Sequence, residues 1–144
     1  MLSASEISIT FAPLVQSESV LVSEEGRASL RAIGGKPSWE ALDIAEVNTA
    51  FVGMLGQDFA AFQERMTAGS SGIMVEGDYV VGSACAPHQC GFASAAYALS
   101  LSTGALYVVV QHDQKSLKVF GPSSRDDLPP YLRKFIAEIE STPS

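Results

Sequence analysis

The strongest constraint in the chain is a two-residue period that begins at Ile73 and runs to about Phe120. Alternation of this kind sends successive side chains to opposite faces of an extended backbone, so the segment reads as a run of strands. Residues 73–76 and 79–84 flank Gly77-Asp78, a two-residue hairpin signal. Residues 93–101 place Tyr97, Leu99 and Leu101 on one face and the small Ala96, Ala98 and Ser100 on the other. Ser102-Thr103-Gly104 turns the chain, 105–111 returns it, and His112-Asp113-Gln114-Lys115 turns it again before Leu117 and Val119 carry a last strand. Connections this short join neighbouring strands, which predicts an antiparallel meander of about five strands over 73–121.

Upstream, over 38–68, the period changes. Phe51, Leu55, Phe59, Phe62 and Met66 recur at spacings of three and four, the apolar stripe of a helix that packs on a core. Ser38 is expected to cap the first turn, with Glu40 near its positive end and Trp39 as a core anchor. Gly53 and Gly56 each cost about 1 kcal/mol against Ala in a helix interior, which predicts two helices or one bent one. After Pro129-Pro130, the residues Leu132, Phe135, Ile136 and Ile139 mark a closing amphipathic helix over 129–140. Residues 1–37 read as N-terminal strands and a linker: Ile7, Ile9 and Phe11 alternate with polar residues, as do Val20 and Val22, before Gly34-Gly35-Lys36-Pro37. The expectation is an α+β fold in which residues 1–144 form a single domain, one sheet with helices packed on one face.

Composition narrows the function classes. Hydrophobic residues make up 47% of the chain and charged residues 17%, enough apolar surface for a packed core. No stretch reaches the roughly 20 consecutive apolar residues needed to cross a bilayer, so no membrane insertion is expected. The net charge is −7, and no basic stripe is present to neutralise phosphates, which argues against nucleic acid. A cationic protein partner is the kind such a surface would steer. The sequence leaves a homodimer open. The opening Met1-Leu2-Ser3-Ala4-Ser5-Glu6 lacks a basic region, so no intact secretory leader is expected in the chain as given.

Chemistry concentrates in Gly82-Ser83-Ala84-Cys85-Ala86-Pro87-His88-Gln89-Cys90-Gly91, between two predicted strands. Pro87 fixes its own φ and biases Ala86 toward extended geometry, which restrains the loop that carries His88. Taken by themselves, Cys85, His88 and Cys90 leave two readings. They are a Cys-x2-His-x-Cys set to which His112 could add a fourth metal ligand, although structural zinc sites usually draw ligand pairs from separated segments. Alternatively the two cysteines pair. No glycine-rich phosphate loop, serine nucleophile elbow or HExxH is present, and His112-Asp113 falls in a predicted turn, so no enzyme is expected.

Gly77-Asp78-Tyr79, Ser83-Ala84-Cys85, Pro87-His88 and Cys90-Gly91 together resemble the signature region of the inhibitor-of-vertebrate-lysozyme family over roughly residues 73–120. Members carry a protruding loop of pattern Cys-Lys-Pro-His-Asp-Cys between strands of a meander. The resemblance implies a disulfide between Cys85 and Cys90, no cofactor and no metal, and a periplasmic or secreted location. It further implies a target-binding loop of Cys85, Ala86, Pro87, His88, Gln89 and Cys90 that enters an enzyme cleft, with His88 as the key inhibitory residue. The partner it implies is a c-type lysozyme, or a bacterial lytic transglycosylase or other muramidase. Ala86 stands where the family has lysine, and Gln89 where it has aspartate. Losing one charge-assisted hydrogen bond costs about 1.5–3 kcal/mol, so potency against c-type lysozyme is the property these departures touch.

Overall fold

A computed structural model describes residues 8–13, 22–68, 71–85, 94–113, 116–122 and 124–141. Strands β1 (Ser8–Pro13), β2 (Met74–Glu76), β3 (Tyr79–Cys85), β4 (Ser94–Ser100), β5 (Leu106–Asp113) and β6 (Ser116–Gly121) form one sheet in the order β1-β6-β5-β4-β3-β2. The strands β2 to β6 are the antiparallel meander expected from the alternation. Its first hairpin closes at Glu76↔Tyr79 around Gly77, whose φ of 59° lies in the left-handed region that glycine enters without steric cost. The Asp78 carboxylate then accepts the hydroxyls of Ser100 and Ser102, both at 2.7 Å, and ties this turn to the β4–β5 turn. Those two donors hold its carboxyl below the usual aspartate range. The alternating Ile9 and Phe11 form β1, which pairs in parallel with β6 at Ile9↔Leu117 and Phe11↔Val119.

The sheet is covered on both sides. Helices α1 (Glu24–Ala32), α2 (Ala45–Leu55) and α3 (Phe59–Ala68) pack on one face, where Leu30, Phe51, Phe62 and Met66 meet Val80, Tyr97, Val108 and Val110. Helix α4 (Pro130–Ser141) covers the other, where Leu132 and Ile136 meet Val81, Ala96, Ala98 and Val109. The expected α+β class holds, but only α1 to α3 lie on the expected side. The reason is that every residue of β4 is buried. Tyr97 and Leu99 need cover on one face, while Ala96 and Ala98 on the other are small enough for a helix to sit close.

The helical half breaks at one of the two expected glycines and departs from expectation at Ser38 and at α1. Residues 38–68 divide into a 3-10 turn (Ser38–Asp43), α2, a second 3-10 turn (Gly56–Asp58) and α3, with the break at Gly56, φ 53°. Ser38 does not cap a helix. It is fully buried, donates its hydroxyl to the Ser71 carbonyl at 2.7 Å and accepts the Ser83 amide at 3.2 Å, while its own carbonyl receives the Tyr97 hydroxyl at 3.1 Å. Desolvation pushes the Tyr97 phenol well above its ordinary value. Helix α1 falls in the segment read as strands and linker. Ser23 caps it through the Gly26 amide, Glu24 and Glu25 occupy its first turn, and Glu46 of α2 accepts both the amide and the hydroxyl of Ser23 at 2.6 Å. Trp39 is partly buried against the core, as expected. Among the described residues no helix is long and apolar enough to cross a membrane.

Candidate functional site at the loop between strands β3 and β4

The strands that flank the cysteine segment, β3 and β4, are neighbouring interior strands of the meander. Their register ends Gly82↔Tyr97, Ser83↔Ala96, Ala84↔Ala95, Cys85↔Ser94, so residues 86–93 leave and re-enter the sheet between directly opposed positions. Cys85 is the last residue of β3. Ala86, Pro87, His88, Gln89 and Cys90 lie outside the described residues. What the structure supplies is the base on which this segment is mounted.

That base is polar in an otherwise apolar setting. Ser94, 6% exposed, donates its hydroxyl to Gln111 Oε1 at 2.6 Å, and Gln111 is completely buried. The Gln111 carbonyl accepts Nε of Arg65 at 3.0 Å. Arg65 is only 8% exposed and reaches the His112 carbonyl at 3.5 Å and its own helix at Ala61 at 3.0 Å. A buried polar group left unpaired costs about 1–3 kcal/mol, so these contacts fix one another's geometry. Through them α3 grips the end of β5, and β5 grips the first residue of β4 after the loop.

Beside this chain sits a partly buried ionic cluster. Asp58, in the 3-10 turn before α3, accepts Lys118 Nζ at 2.8 Å and lies 3.7 Å from Nε2 of His112. Lys118 also stands 5.2 Å above the ring centroid of Phe120, a cation–π contact. His112 and Asp113 therefore belong to strand β5, and Asp113 pairs with Ser116 across a register shift. Of the turn expected at 112–115, residues 112 and 113 are strand instead, and 114–115 lie outside the described residues. No group of three or more His, Cys, Asp or Glu side chains that could hold a metal occurs among the described residues. Sequence reasoning missed Arg65, Ser94, Gln111 and Asp58. The one legible signal was a glutamine ending the continuous apolar run 106–110, where a buried strand should have no polar side chain without a partner.

The described residues form one sheet covered by helices on both faces, and the Cys/His segment of the sequence joins its neighbouring strands β3 and β4. Residues 46–142 match the family described as inhibitor of vertebrate lysozyme (Ivy), and the chain belongs to that family. The match takes in α2, α3 and α4 as well as the meander, and leaves β1 and α1 outside it. The chain is also 31% identical over 99 residues to the uncharacterized protein y4bG of Sinorhizobium fredii. That stretch covers 69% of this chain and 36% of the relative, so the chain spans about a third of that protein's length. No solved structure matches the chain.

Proposed function

We propose that this protein inhibits a lysozyme or a related peptidoglycan-cleaving glycosidase by inserting the segment 85–90 into its active-site cleft. The observation that carries the reading is the family match, which spans Cys-Ala-Pro-His-Gln-Cys between the neighbouring strands β3 and β4. A disulfide between Cys85 and Cys90 closes the loop and adds about 2 kcal/mol or less, since a short ring removes little chain entropy. Its greater effect is stiffness. A loop ordered before binding avoids roughly 0.5–1.5 kcal/mol for each side chain that would otherwise be immobilised.

His88 is the residue that addresses the enzyme. Retaining glycosidases place two carboxyl groups about 5–5.5 Å apart around the scissile bond. A protonated imidazole donates from both ring nitrogens, on opposite sides of the ring, and can engage both carboxyls while excluding water and substrate. Histidine, ordinarily titrating near pH 6.5, gains its proton readily against such an acidic pair. The net charge of −7 favours encounter with a cationic enzyme. This activity belongs in an oxidising compartment, periplasmic or secreted.

Ala86 and Gln89 favour a second reading on the same scaffold. Without the family's lysine and aspartate, the loop has less charge to offer a carboxylate-lined cleft, and the partner becomes a lytic transglycosylase or other muramidase rather than a c-type lysozyme. Titrating the turnover of one enzyme of each kind distinguishes the two. His88→Ala is expected to abolish inhibition with the melting temperature nearly unchanged, and reduction of the protein is expected to weaken it. Native protein carrying no reactive thiols supports the pairing, whereas two reactive thiols favour a reduced or metal-holding pair. If both enzymes keep full activity at inhibitor concentrations on the order of ten times a micromolar Kd, the inhibitor reading fails.

A further inference from the structure

We infer that strand β2 is the contact by which two copies of this chain pair edge to edge into a two-fold dimer. β2 is the last strand of the sheet, and all three of its residues are exposed. Met74 is 45% exposed and Val75 43%, and with Val52 they are the exposed large hydrophobics among the described residues. The two point to opposite faces, Met74 on the side of Val81 and Val75 on the side of Val80. Apolar surface therefore flanks this rim above and below. Its backbone is only partly used. Residues 35–38 run antiparallel along the outside of 71–73, with a bridge at Pro37↔Gly72. Ile73 donates to the Lys36 carbonyl and accepts the Gly35 amide, both at 2.8 Å, so its N–H and C=O face away from β3. Strand geometry turns the Val75 N–H and C=O the same way, two residues on. By then the outer segment has left: Gly34 donates to the Arg31 carbonyl and Lys36 to the Ile33 carbonyl, which bends the chain into the end of α1.

A second copy fits this rim by symmetry, because an isologous contact sets one surface against itself. With the axis through Val75, the two valines exchange both of their outward backbone bonds, and Met74 lies opposite the partner subunit's Glu76. The partner's hairpin end then abuts the segment 35–36, which brings the partner subunit's Glu76 toward Lys36. Both side chains are exposed, and neither is in an ion pair among the described residues. The axis repeats the Glu–Lys approach, so the charges match twice. The opposite edge of the sheet lacks this match, since β1 presents the exposed Ser8 and Thr10 and ends at Pro13, which has no N–H to give. A contact centred on three residues per copy lies at the small end of protein interfaces, so the copies exchange rather than lock together. The pairing also sends the Cys85 ends of the two β3 strands in opposite directions, away from the axis.

The test is sedimentation equilibrium of the full chain, where a dimer with a dissociation constant on the order of 0.1 mM is expected. Val75→Pro removes an N–H that β3 does not use, so it should abolish the dimer while the melting temperature stays nearly unchanged. Glu76→Lys or Lys36→Glu alone should raise the dissociation constant about fivefold, and the two together in one chain should restore it. If Val75→Pro does not fold, the charge exchange decides, since both of its positions are exposed. A chain that stays monomeric at about 1 mM overturns the inference. So does a dimer that neither Val75→Pro nor either charge reversal weakens, because its contact then lies on another face.

Discussion

Replacing Gly82 by alanine puts the pairing of β3 and β4 under direct strain. Gly82 faces Tyr97 across the two strands, and the Tyr97 ring lies folded over it. A Cβ at position 82 would stand 2.7 Å from both Cζ and Oη of that ring and 2.5 Å from Ser38 Oγ. Carbon atoms in contact sit about 3.5–4.0 Å apart, so the ring must retreat by roughly 1 Å. It has nowhere free to go: Phe51 packs edge-on at a centroid distance of 5.4 Å, and Phe62 lies at 6.5 Å. Overpacking of this kind costs about 1–3 kcal/mol. Retreat also stretches the 3.1 Å bond from the Tyr97 hydroxyl to the Ser38 carbonyl, worth about another 0.5–1.5 kcal/mol. The expected total is about 1.5–4.5 kcal/mol, read from urea unfolding of the wild type and Gly82→Ala. A double-mutant cycle with Tyr97→Leu isolates the ring's share of the clash, because without the ring the added methyl still meets Ser38 Oγ but should cost less. Losses that add to within about 0.5 kcal/mol, or a Gly82→Ala variant as stable as the wild type, would refute the reasoning.

Three further outcomes are expected. Asp78→Asn should destabilise the protein at neutral pH, and its deficit should shrink in acid. The Asp78 carboxyl is held below its ordinary range by Ser100 and Ser102, so its contribution is present above the unfolded aspartate pKa and is lost as pH falls through the folded one; melting curves over that range check the sign. Ser23→Ala removes the α1 cap and the hydroxyl bond to Glu46 while keeping the backbone amide bond to that carboxylate, and should cost about 1–2 kcal/mol in chemical denaturation. Ile136→Ala should cost about 2–5 kcal/mol, since that side chain is fully buried between α4 and the sheet; a loss below 1 kcal/mol would contradict the placement of α4.

The legibility of this fold followed the range of the forces involved. Local pattern sufficed for the five meander strands, for the hairpin at Gly77-Asp78 and for the break at Gly56, because strand period and turn conformation are set within a few residues. It did not reveal which side of the sheet α4 would take, since an apolar stripe at 132, 135, 136 and 139 says only that one helix face is buried. Ser38 misled for a related reason. A serine ahead of a helical pattern is an ordinary cap, and its actual partners, Ser71 and Ser83, arrive from distant sequence. Helix α1 could have been read from Ser23-Glu24-Glu25, a capping residue followed by an acidic first turn, but its nine residues and weak apolar stripe hid it. At the candidate site the cysteines, Pro87 and His88 stood out by residue type. The supports beneath them did not, because Arg65, Gln111 and Ser94 acquire meaning only when α3, β5 and β4 are side by side.

Strand β1 has a practical consequence for anyone trimming the chain to its family-matched part, which starts at residue 46. A fragment cut there loses β1 and would bare the outer rim of β6 along Leu117 to Gly121, a row of backbone donors and acceptors that invites another polypeptide to dock. It would also strip away Val22 and Leu30, leaving an oily hollow above α2 and the sheet. Such a fragment is expected to precipitate where the longer chain stays dissolved, and its failure would say nothing against the loop.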